Sequence, residues 1–209
     1  MQATALKTVP ADVVSLHIRH HISEVQRCTD LMPQDVLGEI VQVLVQACHD
    51  GRQVFIFGNG GSASTASHFA CDLGKGAALP DKRRLRVMSL NDNVALMTAI
   101  SNDISYEMVF KEQLINVLNP GDVIIGISAS GNSPNVVRAF EYAREVGAST
   151  IGLIGFGGGK MKALSDHSVI IDSWDYGVVE GLHLVLEHLI AQGVRRQLIV
   201  DHGLEGQVK

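Results

Sequence analysis

The chain has 209 residues, 46% of them hydrophobic and 19% charged, and its formal net charge is −5. This length is sufficient for one domain with a complete hydrophobic core, and the composition is that of a globular protein. The acidic balance lacks the basic surface that nucleic acids require, so we expect no nucleic-acid partner.

The cysteines and the N-terminal region bear on the cellular compartment. Cys28, Cys48 and Cys71 are odd in number and form no CxxC pair, which predicts reduced, mostly buried thiols. Residues 1–14 lack the basic segment and following apolar segment of a signal peptide. The chain also lacks a run of about 18 apolar residues. We therefore expect a soluble, cytoplasmic protein with no membrane partner.

The predicted elements begin with two helices. Apolar side chains recur at helical spacing over residues 11–31 and again over residues 34–50, and Gly51 is suited to end the second helix. Strands and helices then alternate. Short runs rich in Val and Ile predict strands at 53–57, 85–90, 122–127, 149–154 and 168–172, and helical patterns cover 62–74, 93–100, 105–117, 132–146, 159–164 and 177–199.

This alternation predicts an α/β fold with three layers (α/β/α) and a five-stranded parallel sheet of the flavodoxin-like type, preceded by the two N-terminal helices. The predicted strands do not alternate between apolar and polar residues, which is typical of strands buried on both faces. We expect a single domain over residues 1–209. The helices of residues 11–50 would serve packing and oligomerisation, the first ten residues would be frayed, and residues 200–209 would form a loose tail.

Two loops that follow predicted strands are rich in Gly and Ser. Gly58-Asn59-Gly60-Gly61-Ser62 follows QVFIF, and Ser128-Ala129-Ser130-Gly131-Asn132-Ser133 follows DVIIGI. A strand, a Gly-rich turn and a helix start direct N–H groups and hydroxyls toward an anion, so the pair predicts one phosphorylated ligand held from two sides. Alternatively, Ser133 only caps a helix, and Asn59 and Ser62 only form turns. Neither loop has the Lys of a P-loop or matches G-x-G-x-x-G, so we expect no nucleotide cofactor.

Acidic residues and histidines recur at helical spacing after the first loop and in the last helix. His68 and Asp72 lie four residues apart, on one face of the helix that starts at the first loop. The last helix carries Glu180, His183, Glu187 and His188, of which the first three share one stripe and His188 lies close to it. Such groups bind divalent metals or transfer protons. Taken alone, however, the pair is more often a surface contact, and the histidines are more often satisfied core residues.

Three segments carry a resemblance to a known family. GNGGSA with HFA after it, Asn102-Asp103 at a predicted strand end with SYEMVF after it, and SASGNSPNV resemble the sugar isomerase (SIS) domain. Within that family the chain looks like the phosphoheptose isomerase branch, whose enzymes interconvert sedoheptulose 7-phosphate and glycero-manno-heptose 7-phosphate. The similarity runs from about residue 35 to residue 197, and the two N-terminal helices fit this branch as well.

The resemblance implies roles for individual residues. The positions expected to contact the substrate are Asn59, Gly60, Gly61, Ser62, Asp72, Asn102, Asp103, Ser128, Ala129, Ser130, Ser133 and Glu180. His68, Asp72, Glu180 and His188 fall on the four positions that bind zinc in this branch, and Asp72 and His188 on the catalytic carboxylate and imidazole. The resemblance also implies a homotetramer with sites at subunit interfaces, and a part in supplying heptose for lipopolysaccharide and related surface glycans.

Three positions depart from the branch. Asp72 stands where the isomerases have Glu and is one methylene shorter, Glu180 stands at a position that is usually Gln, and Ala129 replaces a hydroxyl residue. The family also contains a non-enzymatic relative that associates with a replication initiator and loses catalytic groups. Asp72 and His188 are residues that this relative would be expected to lack, so their presence favours an enzyme.

The leading prediction is therefore a metal-assisted aldose–ketose isomerase that acts on sedoheptulose 7-phosphate through an enediol. Two alternatives remain at this point. The first is a non-catalytic SIS protein that binds phosphosugars or other proteins, and the second is an isomerase of a different phosphosugar.

Overall fold

Two helices precede the sheet, as the sequence predicts. The computed structural model describes residues 11–206, in which α1 spans Ala11–Asp30 and α2 spans Gln34–Asp50. Gly51 ends α2 in the left-handed conformation (φ 71°), and its N–H caps the carbonyls of Ala47 and Cys48. The predicted fraying of residues 1–10 and the end of the predicted tail, residues 207–209, lie outside the described residues.

The sheet has five parallel strands in the order β2-β1-β3-β4-β5. Their bounds are Gln53–Gly58 (β1), Arg86–Ser89 (β2), Val123–Ser128 (β3), Ser149–Ile154 (β4) and His167–Ile170 (β5). The three central strands are buried almost throughout, as predicted. The prediction is wrong for β2, where Arg86 and Met88 are exposed. These residues share one face of an edge strand.

Helices cover both faces of the sheet and complete the predicted three-layer arrangement. After the first two, the helices are α3 (Gly61–Cys71), α4 (Val94–Asp103), α5 (Lys111–Val117), α6 (Pro134–Val146), α7 (Gly159–Leu164) and α8 (Tyr176–Asp201). Successive residues of β1 point to different layers: Ile56 packs in the core with α2, α3 and α8, whereas Phe57 stacks on Phe110 in the core with α5 and α6. The described helices include none that could cross a bilayer.

Several boundaries differ from the predicted ones. The helix that begins at Gly61 continues from α3 into a π-helical turn, Asp72–Gly76, and the predicted helix at 105–117 is divided into a 3₁₀ turn, Tyr106–Met108, and α5. Asn102 and Asp103 do not lie at a strand end but in the last turn of α4. Of the three cysteines, none of which forms a disulfide, Cys71 is exposed rather than buried.

The strand order places the two Gly/Ser loops side by side. The chain passes from β1 to β2 on one side and returns to β3 on the other side of β1, so that the direction of winding changes between β1 and β3. In open parallel sheets such a switch point forms a crevice at the carboxyl ends of the strands, where ligands bind. The two loops follow β1 and β3, and Gly58, the last residue of β1, is paired with Ile127 of β3.

Candidate active site

The first loop has a backbone that its neighbours fix. Gly60, which precedes α3, has φ 55° and ψ −122°, a conformation that residues with a Cβ rarely adopt. A Cβ on Gly58 would lie 2.7 Å from Ser62 Cβ and 2.8 Å from the carbonyl oxygen of Ile127. Asn91 bonds both polar groups of Gly58, accepting from its N–H at 3.2 Å and donating to its carbonyl at 2.9 Å.

Asn59 connects the first loop to the second one. Its side-chain oxygen accepts hydrogen bonds from Tyr106 Oη and from Asn135 Nδ2, each at 2.8 Å, and its own Nδ2 donates to Asn135 Oδ1 at 2.9 Å. Asn135 is buried in the first turn of α6, directly after the second loop. The substrate-contacting position that the resemblance gives to Asn59 is therefore held in place by two residues that the sequence analysis did not select.

The second loop collects hydroxyl groups at the start of α6. Ser128 Oγ and Ser133 Oγ are 3.4 Å apart, Ser128 Oγ accepts from the N–H of Gly131, and Ser130 Oγ accepts from the N–H of Asn132. Ser133 occupies the N-cap position of α6 but makes no side-chain capping bond, which disagrees with the alternative that it only caps the helix. Its hydroxyl is thus available to an anion at the positive end of the α6 helix dipole.

Four titratable side chains converge where α3 and its π-helical turn pack on α8. Asp72 Oδ2 lies 3.0 Å from His188 Nδ1, and Asp72 Oδ1 lies 3.9 Å from His68 Nε2. Glu187 Oε1 lies 3.5 Å from His68 Nδ1 and 3.4 Å from His188 Nδ1. One potential ligand atom from each of the four residues lies within 4.8 Å of all the others. We call these four residues the His/carboxylate cluster.

The cluster is open on one side and buried on the other. The side chains of His68, Asp72 and His188 are 45%, 31% and 42% exposed, whereas that of Glu187 is fully buried. Burial, and then the neighbouring charge of Asp72, raises the pKa of the Glu187 carboxyl to about 8. Neither of its oxygens has a hydrogen-bond partner among the residues that the structure describes.

The donor set fits a divalent transition metal. Two imidazoles and two carboxylates provide nitrogen and oxygen ligands of the kind that zinc takes in catalytic sites, and the orphaned oxygens of Glu187 are those that a bound cation would satisfy. The exposed side would leave a ligand position for substrate. The structure therefore agrees with the prediction of a metal site in kind, and it brings together three of the four predicted ligands, His68, Asp72 and His188.

The structure places the remaining predicted residues elsewhere. Glu180 of α8 lies beside the start of α3, where a Cβ on Gly61 would be 2.6 Å from its Oε2, and it does not join the cluster. Asn102 and Asp103 are exposed and bonded to each other, Nδ2 to Oδ1 at 2.8 Å. Ala129 is buried within the second loop, and its carbonyl accepts a hydrogen bond from the N–H of Gly155.

Comparison with known proteins agrees with the resemblance. The family model described as SIS domain matches residues 20–155. The chain is 40% identical over 163 residues to the phosphoheptose isomerase of Helicobacter pylori (strain P12), which covers 78% of this chain and 84% of the relative. It is 34% identical over 191 residues to the phosphoheptose isomerase of Crocosphaera subtropica, covering 91% of this chain and 97% of the relative.

A solved structure gives the same assignment. The phosphoheptose isomerase from Neisseria gonorrhoeae superposes with a TM-score of 0.79 at 27% identity, covering 88% of this chain and 97% of that one. The predicted fold class and the predicted enzyme class are thereby confirmed. The chain is an isomerase that belongs to the SIS domain family and, within it, to the phosphoheptose isomerase branch.

Proposed function

We propose that the protein converts sedoheptulose 7-phosphate to D-glycero-D-manno-heptose 7-phosphate by aldose–ketose isomerisation. The observation that carries this proposal is the pairing of a hydroxyl-rich loop at a helix start with a separate His/carboxylate cluster. A heptose 7-phosphate has its reacting carbons and its phosphate at opposite ends, so the two ends need two different subsites. The relatives from Helicobacter pylori and Crocosphaera subtropica are named phosphoheptose isomerases, which supports the same class of substrate.

The second loop is suited to bind the phosphate. Ser128, Ser130 and Ser133 each offer a hydroxyl donor, and the N-terminus of α6 adds the positive end of the helix dipole. The first loop faces it across the switch point and would contact the sugar hydroxyls through Asn59 and the backbone at Gly60 and Gly61. Asn59 holds this orientation because Tyr106 and Asn135 fix its amide.

Isomerisation moves a proton between C1 and C2 and needs a base at carbon and an acid or electrophile at the oxygens. We assign the transfer of the carbon-bound proton to the carboxylate of Asp72, with Glu180 as the alternative base. His188 would transfer the proton at the substrate oxygens. The 3.0 Å contact between Asp72 Oδ2 and His188 Nδ1 orients the imidazole. Because Nδ1 of His188 faces Asp72 and Glu187 in the cluster, Nε2 is the nitrogen left to exchange a proton with substrate.

A zinc ion would be held by His68, Asp72 and His188, three of the residues that the resemblance gives to the metal. Bound there, it would supply Lewis-acid polarisation of the substrate carbonyl. Nitrogen and oxygen ligands of this kind also accept Mn²⁺ and Ni²⁺, so zinc is proposed from the family resemblance and not from the donor set alone.

We also propose a cytoplasmic homotetramer with active sites at subunit interfaces. α1 exposes a row of large apolar side chains, including Leu16 at 63% and Ile22 at 60%, and α8 exposes Leu184, Val185 and Leu189. Apolar surface of this extent on two helices is characteristic of subunit contacts. Light scattering with in-line chromatography would test it, and a monomer at micromolar concentration would contradict it.

The proposed reaction is tested by incubating the purified protein, with and without zinc, with sedoheptulose 7-phosphate and following aldose formation. Sedoheptulose without its phosphate is the matched control and is expected to react poorly, because the serine loop has nothing to bind. Fructose 6-phosphate in parallel tests the alternative substrate class that the shorter Asp72 raises. No conversion of sedoheptulose 7-phosphate with or without zinc would refute the proposal.

A further inference from the structure

Glu187 is a buried carboxylate that the proposed reaction does not use. Its side chain is 0% exposed, and neither Oε1 nor Oε2 has a hydrogen-bond partner among the residues that the structure describes. Buried carboxylates are normally paired, hydrogen-bonded or bound to a metal, because burial of an isolated charge is strongly unfavourable. The position therefore calls for a positively charged partner.

The carboxylate of Glu187 is directed at the residues that would hold the metal. Oε1 lies 3.5 Å from His68 Nδ1 and 3.4 Å from His188 Nδ1, while Asp72 Oδ2 lies 3.0 Å from the same His188 nitrogen. All four potential ligand atoms fall within 4.8 Å of one another. One cation among them would therefore satisfy both carboxylates at once.

Glu180, the fourth ligand that the resemblance implies, lies at a different level of the same helix. α3 and α8 run side by side in the same direction, since Gly61 is next to Glu180, His68 is next to Glu187, and the end of the π-helical turn lines a cavity with Ala191 and Gln192. Seven residues separate Glu180 from Glu187, a rise of about 10 Å along the helix. The Glu180 of the same chain therefore cannot reach an ion bound at His68 and His188.

We propose that Glu187, and not Glu180 of the same chain, is the fourth protein ligand of a divalent transition metal bound by His68, Asp72 and His188. The role of this metal rests on the metal-assisted reaction proposed above. The arrangement of the four ligand residues does not depend on which sugar the protein binds. Asp72 is shorter than the Glu of related isomerases, and the buried Glu187 supplies an additional carboxylate at the same ion.

The test measures metal binding directly, with Co²⁺ as the probe in chelator-treated protein. Titration calorimetry gives the affinity, and the visible absorption of Co²⁺ reports its ligand set. Glu187→Gln, which keeps the shape and removes the charge, is expected to weaken Co²⁺ binding roughly tenfold or more and to alter the absorption bands, since even outer-shell changes typically cost about 10–100-fold. Glu180→Gln removes a carboxylate from the same stripe of α8 and is the matched control. It is expected to change the Co²⁺ affinity by no more than about twofold, well below the loss expected for a ligand, and to leave the absorption bands unchanged.

Folding is checked by far-UV circular dichroism and thermal unfolding without metal, where Glu187→Gln should be no less stable than the wild type because it removes an unpartnered buried carboxylate. Glu187→Met is the second variant and should lose the same affinity. Wild-type protein that binds no Co²⁺, a Glu187→Gln protein that binds it normally, or equal losses in the two glutamine variants would each overturn the inference. Turnover of sedoheptulose 7-phosphate is measured separately on the wild type, so its absence would refute the proposed reaction and leave the ligand assignment standing.

Discussion

The buried imidazole of His183 should make the protein lose stability in mild acid. His183 lies in α8 with 0% of its surface exposed, and neither ring nitrogen has a geometrically sound hydrogen bond among the described residues. Burial, offset in part by the backbone of Ile154, lowers its pKa from 6.5 to about 4. Because the folded-state pKa is below the unfolded one, the contribution to stability is complete above pH 6.5 and is lost as the pH falls toward 4.

The size of this loss follows from the two pKa values. At 1.36 kcal/mol per pH unit, a difference of about 2.5 corresponds to about 3 kcal/mol when titration is complete, and to about 2 kcal/mol by pH 5. His183→Leu removes the ionisable group and replaces it with a side chain that needs no hydrogen bond. Between pH 7.5 and pH 5, the free energy of unfolding of the wild type should therefore decrease by about 2 kcal/mol more than that of His183→Leu.

Urea unfolding at fixed protein concentration, with a chelator present, measures this difference. Other groups titrate in both proteins and cancel in the comparison, including Glu187. His20→Leu is the control, because His20 is an exposed residue of α1 to which the burial argument does not apply. If the unfolding free energies of wild type and His183→Leu remain parallel from pH 7.5 to pH 5, the proposed link between burial and acid sensitivity is refuted.

Two further predictions concern the site. His188→Gln should lower kcat by about 10²–10⁴-fold, because it removes acid–base chemistry, while the KM for sedoheptulose 7-phosphate changes little; unchanged kcat would exclude His188 from the mechanism. Gly131→Ala should raise that KM and destabilise the fold by about 1–3 kcal/mol, because Gly131 has φ 63° and a Cβ there would overlap the carbonyl of Gly158. Gly38→Ala, where an added Cβ meets nothing within 4 Å in α2, is the control for steady-state kinetics and thermal unfolding and should be neutral or stabilising.

The sequence was sufficient to predict the layers of the fold. Hydrophobic periodicity located each strand and the long helices within a few residues, because core burial imposes those patterns. It was wrong about β2, since the apolar run LRVMSL suggests a strand buried on both faces, whereas Arg86 and Met88 are exposed on an edge strand. It was also wrong about Asn102 and Asp103, where the family motif indicated a strand end and the chain forms the last turn of α4.

The contacts that position the loops could not be read from the sequence. Asn59 is held by Tyr106 and Asn135, which lie 47 and 76 residues later in the chain. Polar residues of these types are common in turns and helix starts, and nothing local distinguishes a residue that fixes a loop from one that only caps a helix. The absence of a side-chain cap at Ser133 likewise becomes apparent only when the hydroxyl is located beside Ser128.

Glu180 and Glu187 show why a pattern can find a site and still misplace a ligand. Both fall on one stripe of α8, so periodicity treats them as equivalent, and the resemblance favours Glu180. The way in which α3 packs on α8 separates them: Glu180 lies beside Gly61 at the N-terminus of α3, where the helix dipole favours negative charge. Glu187 is enclosed between two imidazoles, and neither of its oxygens has a hydrogen bond within residues 11–206. This environment favours its charge only when a cation is bound. The same residue type is therefore suited to contact the substrate at one level of the helix and to bind the metal two turns later.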